Sequence, residues 1–286
     1  MSNTSKGLAY MAVASFFFAT MGLFVKLCAG IPTVQIVFFR GVVAMFFCLI
    51  HLRIKGVSPW GNNKKMLIAR GLFGTTALFF YFHTLGHIPF ANAATIQQLA
   101  PLFTTFLCAL FIGEKFFKTQ ILFFAISLIG IIFIRGFETE GVSLPYLWGL
   151  ISSFTAACAY TVIRKLGSSE DPMVIIFYFP LVIIPVSLPF NIIYWVEPSW
   201  TQYLYLILVG VSVQLAQYFM TRSYQLAEAG IVSIVNYLGV VWAVILGIVF
   251  FKENLEFSTA LGIVLVMLGI IGNAWRKSRA SRELTP

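Results

Sequence analysis

The sequence predicts an all-α membrane protein of ten transmembrane helices, laid out as two five-helix repeats of inverted topology. Three observations carry that prediction: a composition too apolar for a soluble globule, ten apolar stretches of membrane-spanning length, and two landmarks that recur at one offset. Of the 286 residues 59% are hydrophobic and 10% charged, and the mean hydropathy is +0.91. A soluble domain is about a quarter charged, so this chain has too little polar surface to face water on all sides.

A helix needs about 20 apolar residues to cross the hydrocarbon core. On that rule the spans fall at 7–28, 33–52, 66–86, 90–112, 119–136, 144–164, 172–194, 201–222, 228–251 and 258–275. The first, within MSNTSKGLAYMAVASFFFATMGLFVKL, is longer than the roughly 7–15 residues of a signal-peptide core and has no A-x-A site after it. It reads as a retained helix. Ile31-Pro32 precedes the second span, Pro59-Trp60-Gly61 the third and Pro89 the fourth, which stops at Gly113-Glu114-Lys115 ahead of the fifth. Gly141, Asp171-Pro172 and Glu197-Pro198 punctuate the next three, and the ninth closes on Lys252-Glu253 before the tenth. Cys28, Cys48, Cys108 and Cys158 fall inside apolar stretches without CxxC spacing, as small buried hydrophobes do.

Cytoplasmic ends collect Lys and Arg. With the N-terminus inside, fifteen of the nineteen basic residues fall on the inner side, Arg70 counted among them. Lys26, Arg135 and Lys252 fall outside, and Arg40 lies within a span. Both termini are therefore expected in the cytoplasm. The net charge of +9 is explained by basic loops beside anionic lipid rather than by nucleic acid.

Lys26-Leu27 ends one run and Lys165-Leu166 a similar one, 139 positions later; Glu114 and Glu253 close the fourth and ninth spans, again 139 apart. One offset at both ends of a unit divides the chain into residues 1–138 and 139–286, five helices each. An odd number per unit makes the second copy enter the bilayer from the opposite face. Inverted repeats of this kind can expose a midplane site to each side in turn.

The stretch HTLGHIPFANAATIQQLAPLFTTFLCALFIGEK, its weaker echo YQLAEAGIVSIVNYLGVVWAVILGIVFFKE and the Arg70-Gly71-Leu72-Phe73 opening resemble the drug/metabolite transporter superfamily, and within it the EamA branch. The resemblance implies a basket of helices around a central cavity, with the fifth and tenth helices peripheral, in what is expected to be a bacterial inner membrane. It also has a departure: the proline often found in both repeats is Pro101 in the first and Val240 in the second.

Polar side chains inside spans mark candidate site residues. Pro101 has no N–H and leaves the Gln97 carbonyl without its helical partner. Gln97, Pro101, Thr104 and Cys108 share one helical face by spacing, and Asn236-Tyr237 stands at the equivalent place in the second repeat. Such a face either lines a wet path or bonds a neighbouring helix. Arg40 costs at least ~2.5 kcal/mol at membrane depth and must face inward with a partner. A substrate carboxylate or phosphate could be that partner, as could helix-end carbonyls, Glu253 or Glu256. Gln214 and Gln217 place amides on the eighth helix, and Tyr81 lies near the end of the third. His83 and His87 have the i, i+4 spacing of metal ligands, but two ligands fall short of the usual three or four. No metal or cofactor is expected. Gly262 with Gly269, and Ser127 with Gly130, offer small faces through which peripheral helices could form a homodimer.

These residues predict a secondary transporter that moves a small polar organic metabolite, such as an amino acid, a carboxylate or a nucleoside-like solute, by alternating access. No Walker A or Gly-rich phosphate loop occurs. An intramembrane enzyme would need carboxylates, histidines or a nucleophile–base pair within the bilayer, where the spans offer one arginine, amides and hydroxyls. A channel or lipid scramblase is the other alternative, and would show flux without saturation.

Overall fold

In lipid the backbone must bond to itself, which leaves helices as the spanning form for apolar stretches of this length. The computed structural model describes residues 3–113, 119–135, 144–227, 232, 235–236, 238–253 and 256–282. Among these, the chain forms eleven α-helices and no strand: α1 (Asn3–Leu27), α2 (Thr33–Lys55), α3 (Lys64–Leu85), α4 (Phe90–Gln97), α5 (Ala100–Ile112), α6 (Thr119–Arg135), α7 (Leu144–Leu166), α8 (Pro172–Tyr194), α9 (Trp200–Leu226), α10 (Leu238–Phe251) and α11 (Phe257–Arg282). Among the described residues six spans are long and apolar enough to cross a membrane: α1, α2, α4 with α5, α7, α8 and α9. Many large apolar side chains are exposed, among them Phe46, Phe111, Ile193 and Phe257, as a surface facing lipid requires.

Local chemistry sets the helix ends. Asn63 caps α3 by accepting from the Met66 N–H, and Asp171 caps α8 by accepting from Met173. Ser199 and Gln202 form a reciprocal capping box on α9. The fourth predicted span is broken in two, because Gln98 and Leu99 form a turn in front of Pro101. Gly113 ends α5 at φ +80°, and Lys252, 139 positions on, ends α10 at φ +51°. For lysine a positive φ is uncommon, and here it turns the chain so that Glu253 folds back on its own helix.

Helices pack in matching pairs. α1 lies along α9 as α3 lies along α7; α3 meets α8 as α2 meets α9; α2 faces α8, α4 meets α10, and α6 faces α11. Side-chain bonds define two ends of the bundle. One end gathers residues 26–35, 84–90, 145, 196–202 and 253: Gln35 exchanges two hydrogen bonds with the Val196 backbone, Thr84 donates to the Pro145 carbonyl, and Gln202 donates to that of Ala29. The other gathers the start of α1 and the α2–α3 and α7–α8 connections. There, Ser223 donates to the Gly7 carbonyl, Lys55 pairs with Asp171, and Glu170 accepts the Asn62 and Asn63 N–H groups, both at 2.7 Å.

The small-residue faces on α6 and α11 are used within the chain. A Cβ on Gly130 would lie 2.7 Å from the Gly262 carbonyl oxygen, and one on Gly269 would overlap Ser127 and the Phe123 carbonyl. Ser127 Oγ reaches the Val266 carbonyl across the same contact. These four positions, expected to serve a homodimer, bring α6 and α11 of one chain together.

Candidate functional site: a cavity between the two halves

A cavity of about 940 Å³, its open mouth included, runs between α1, α2, α3, α4, α5, α7, α8, α9 and α10. Among the described residues, none of α6 or α11 lines it. Small side chains make the room: Ala19, Gly74, Ala77, Ala94, Ala100, Ala156, Ala159, Gly239 and Ala243 stand where helices converge without filling the space between them.

Its polar wall brings together Arg40, Tyr81, Gln97, Gln217 and Asn236 of the residues picked out by sequence. Arg40 is 3% exposed, with its guanidinium carbon 4.2 Å from the centre of the Phe179 ring and 6.0 Å from that of Phe82. Neither Glu253 nor Glu256, the carboxylates considered for it, pairs with Arg40: Glu253 pairs with Lys26, and Glu256 is exposed. Gln97 accepts a hydrogen bond from Ser152 Oγ at 2.9 Å. Gln217 accepts one at 3.0 Å from Arg70 Nη2.

Other expectations end elsewhere. Gln214 points away from the cavity and sets its amide against Cys48 Sγ at 3.3 Å and Met173 Sδ at 3.5 Å. Gln214 and Gln217 are offset by about 60° around the helix, and in the fold Gln217 reaches the cavity while Gln214 meets the two sulfurs. Tyr237 lies outside the described residues. The polar face of the fourth span divides at the α4–α5 turn: Gln97 and Pro101 line the cavity, whereas Thr104 and Cys108 are buried, Cys108 against Thr161 on α7. His83 and His87 lie 4.4 Å apart, ring centre to ring centre, and pack with Trp148. Among the described residues no three His, Cys, Asp or Glu side chains form a metal-binding group.

Among the lining residues that the sequence does not single out are Arg70, Phe179, Tyr160 and Gln98. Arg70, counted there as a cytoplasmic loop cation, is the seventh residue of α3, 2% exposed, with its guanidinium carbon 5.9 Å from the Phe179 ring centre. Its signal was its position inside a stretch already drawn as a span. Phe179 is the ring both arginines share. Tyr160 lines the wall and stacks on Tyr224. Gln98 exchanges two hydrogen bonds with Asn236: its amide donates to the Asn236 carbonyl at 3.1 Å, and Asn236 Nδ2 donates back to Gln98 Oε1 at 2.9 Å. This pair ties the α4–α5 turn to the start of α10. A double-mutant cycle of Gln98→Ala and Asn236→Ala should give a coupling of about 0.6–1.7 kcal/mol. Strict additivity would mean that the two side chains do not interact.

The profile of the EamA-like transporter family matches residues 5–136 and again 143–275. The chain belongs to the EamA-like transporter family. It is 31% identical over 268 residues to the pseudopaline exporter CntI of Pseudomonas aeruginosa strain UCBPP-PA14, covering 93% of this chain and 94% of that one. To solute carrier family 35 member G1 of Mus musculus it is 29% identical over 293 residues, covering 95% and 78%. A solved crystal structure shares the fold at a TM-score of 0.71 and 19% identity, covering 99% of each chain. This EamA-like chain is thus a multi-pass membrane protein whose relatives carry the names of transporters.

Proposed function

We propose that this protein is a secondary transporter that moves a small polar organic metabolite by alternating access. Its ten spans form two inverted five-helix repeats, residues 1–138 and 139–286, and both termini face the cytoplasm. The carrying observation is a polar cavity where the two sets of helices meet, walled by Arg40, Gln97, Gln217 and Asn236 with Tyr81 beside them. Exchanging each of the first five spans for its counterpart leaves the principal helix pairings unchanged, and the family profile fits twice, which supports the repeat. So do the contacts Ser127–Val266, 139 positions apart, and Gln98–Asn236, one position off that spacing, since only near a two-fold axis do residues touch their equivalents or the neighbours of these.

The reading is tested in proteoliposomes. Solute flux should saturate and show counterflow, where a channel or scramblase would pass solute in proportion to its gradient. Gln97→Ala, Arg40→Ala and Asn236→Ala should each insert normally and weaken substrate binding, roughly fivefold for each ~1 kcal/mol of hydrogen bonding to the solute that is removed. Transport unchanged in all three would reject this cavity as the substrate path.

A further inference from the structure

Two guanidinium groups share the cavity, and among the described residues no carboxylate pairs with either. The chain has ten Asp and Glu residues. Five are described, and each is held or placed elsewhere. Glu170 accepts from Asn62 and Asn63, and Asp171 caps α8 and pairs with Lys55. Glu197 accepts from Trp195 and Tyr203, Glu253 pairs with Lys26, and Glu256 is exposed. The other five, Glu114, Glu138, Glu140, Glu228 and Glu283, lie outside the described residues. Arg40 Nε and Nη1 and Arg70 Nε are buried without a hydrogen-bond partner. Among the described residues, these cations meet aromatic faces, Phe179 for both and Phe82 for Arg40, and Arg70 meets one neutral amide.

Such an arrangement is unfavourable in the empty state. A buried charge needs a partner, and two like charges beside one ring each make the other worse. The fold nonetheless makes room for both. A Cβ on Gly74 would overlap Arg70 Nη1 and lie 3.0 Å from Phe179, so the bare backbone there lets Arg70 lie flat against α3. Arginine forks match carboxylate and phosphate oxygens two at a time. A cationic cargo would add a third positive charge. An amino acid would satisfy one fork and bring its ammonium toward the other.

We infer that the cavity binds an organic dianion between Arg40 and Arg70, over the Phe179 ring: a small metabolite with two carboxylates, or one bearing a phosphate ester. This rests on the carrier reading above and narrows its cargo.

Purified protein in nanodiscs is titrated with succinate, glutarate and glycerol 3-phosphate, with butyrate as the single-charge control and putrescine as the cation control, and melting temperature and Kd are read. Dianions should raise the melting temperature saturably and bind at least tenfold tighter than butyrate, and the arm that binds tightest separates carboxylate from phosphate cargo. Arg40→Gln and Arg70→Gln should each weaken dianion binding tenfold or more. Arg40→Lys and Arg70→Lys, which keep the charge, should retain the preference for dianions. Without ligand, Arg40→Gln should melt no lower than wild type, since it removes an uncompensated buried charge; a purely structural arginine would behave in the opposite way. Butyrate or putrescine binding as tightly as succinate, no shift with any dianion, or wild-type affinity in both glutamine variants would overturn the inference. Counterflow in proteoliposomes separates the two readings. Dianion binding without flux would sink the carrier and leave the site, while saturable flux of a neutral solute would do the reverse.

Discussion

Glu253→Gln should open the end of the bundle where α1 finishes and make Cys28 reactive. Glu253 is the residue that joins three helices there. Its carboxylate pairs with Lys26 at the end of α1 and accepts the Phe90 N–H at 2.9 and 3.1 Å, capping α4, where Pro89 offers no side-chain cap. It does so from the end of α10, held by a Glu253 N–H bond to the Gly247 carbonyl. A negative charge at a helix N-terminus and a charge-assisted bond each favour this closure. Glutamine keeps one acceptor for Phe90 and loses the ion pair. The carboxylate is 17% exposed and the lysine 22%, so screening is partial. A change of about 1–2 kcal/mol in the open–closed equilibrium is expected, a factor of roughly 5–30 in population. Cys28, 1% exposed, sits two residues past Lys26. Its alkylation by a membrane-impermeant maleimide, resolved by peptide mass spectrometry, should rise by that factor. Cys48, fully buried near the opposite end of α2, should not gain with it. A Cys28 rate equal to wild type would mean that Glu253 is a passive anchor and that this end opens by other contacts.

The positions of the helices were legible because lipid leaves an apolar stretch one way to satisfy its backbone, and because prolines and glycines mark the breaks. Individual side chains were less so. Arg40 stood out as a cation amid a span, whereas Arg70 lay near a lysine pair at the start of α3 and was averaged into a charge count. Asn63, as the helix cap, starts α3 early enough to place Arg70 nearly two turns inside it. The adjacent amides Gln97 and Gln98 differ by about 100° around a helix, and sequence could not say which would reach Asn236. In the fold it is Gln98 that does so, while Gln97 takes the Ser152 hydroxyl. Gln214 shows the converse. Membrane depth requires an inward face for an amide, but the sulfurs of Cys48 and Met173 fulfil that requirement as well as a cavity would. A polar residue in a span therefore predicts burial more securely than it predicts function.

The sign of one substitution tests whether close approach of α3 and α8 holds the arginine site together. In an ordinary helix interior, Gly→Ala stabilises by about 0.5–1 kcal/mol. At Gly71 a Cβ would lie 2.5 Å from the Tyr178 carbonyl oxygen and 2.7 Å from Val182 Cγ2, and a carbonyl engaged in the α8 backbone cannot swing aside. Overpacking costs about 1–3 kcal/mol and more for a backbone clash, so it outweighs propensity. Gly71→Ala should lower the melting temperature by ~5–10 °C, and Gly71→Val should leave little folded protein. Phe179 follows Tyr178 on α8, so the displaced helix carries the shared ring away from Arg40 and Arg70, and ligand binding should weaken along with stability. Gly74→Ala provides the contrast: its methyl group meets the movable end of Arg70 and the edge of Phe179, so it should perturb binding more than melting. If Gly71→Ala instead raised the melting temperature, α3 and α8 would have to lie farther apart than this packing places them, and Phe179 could not serve both arginines at once.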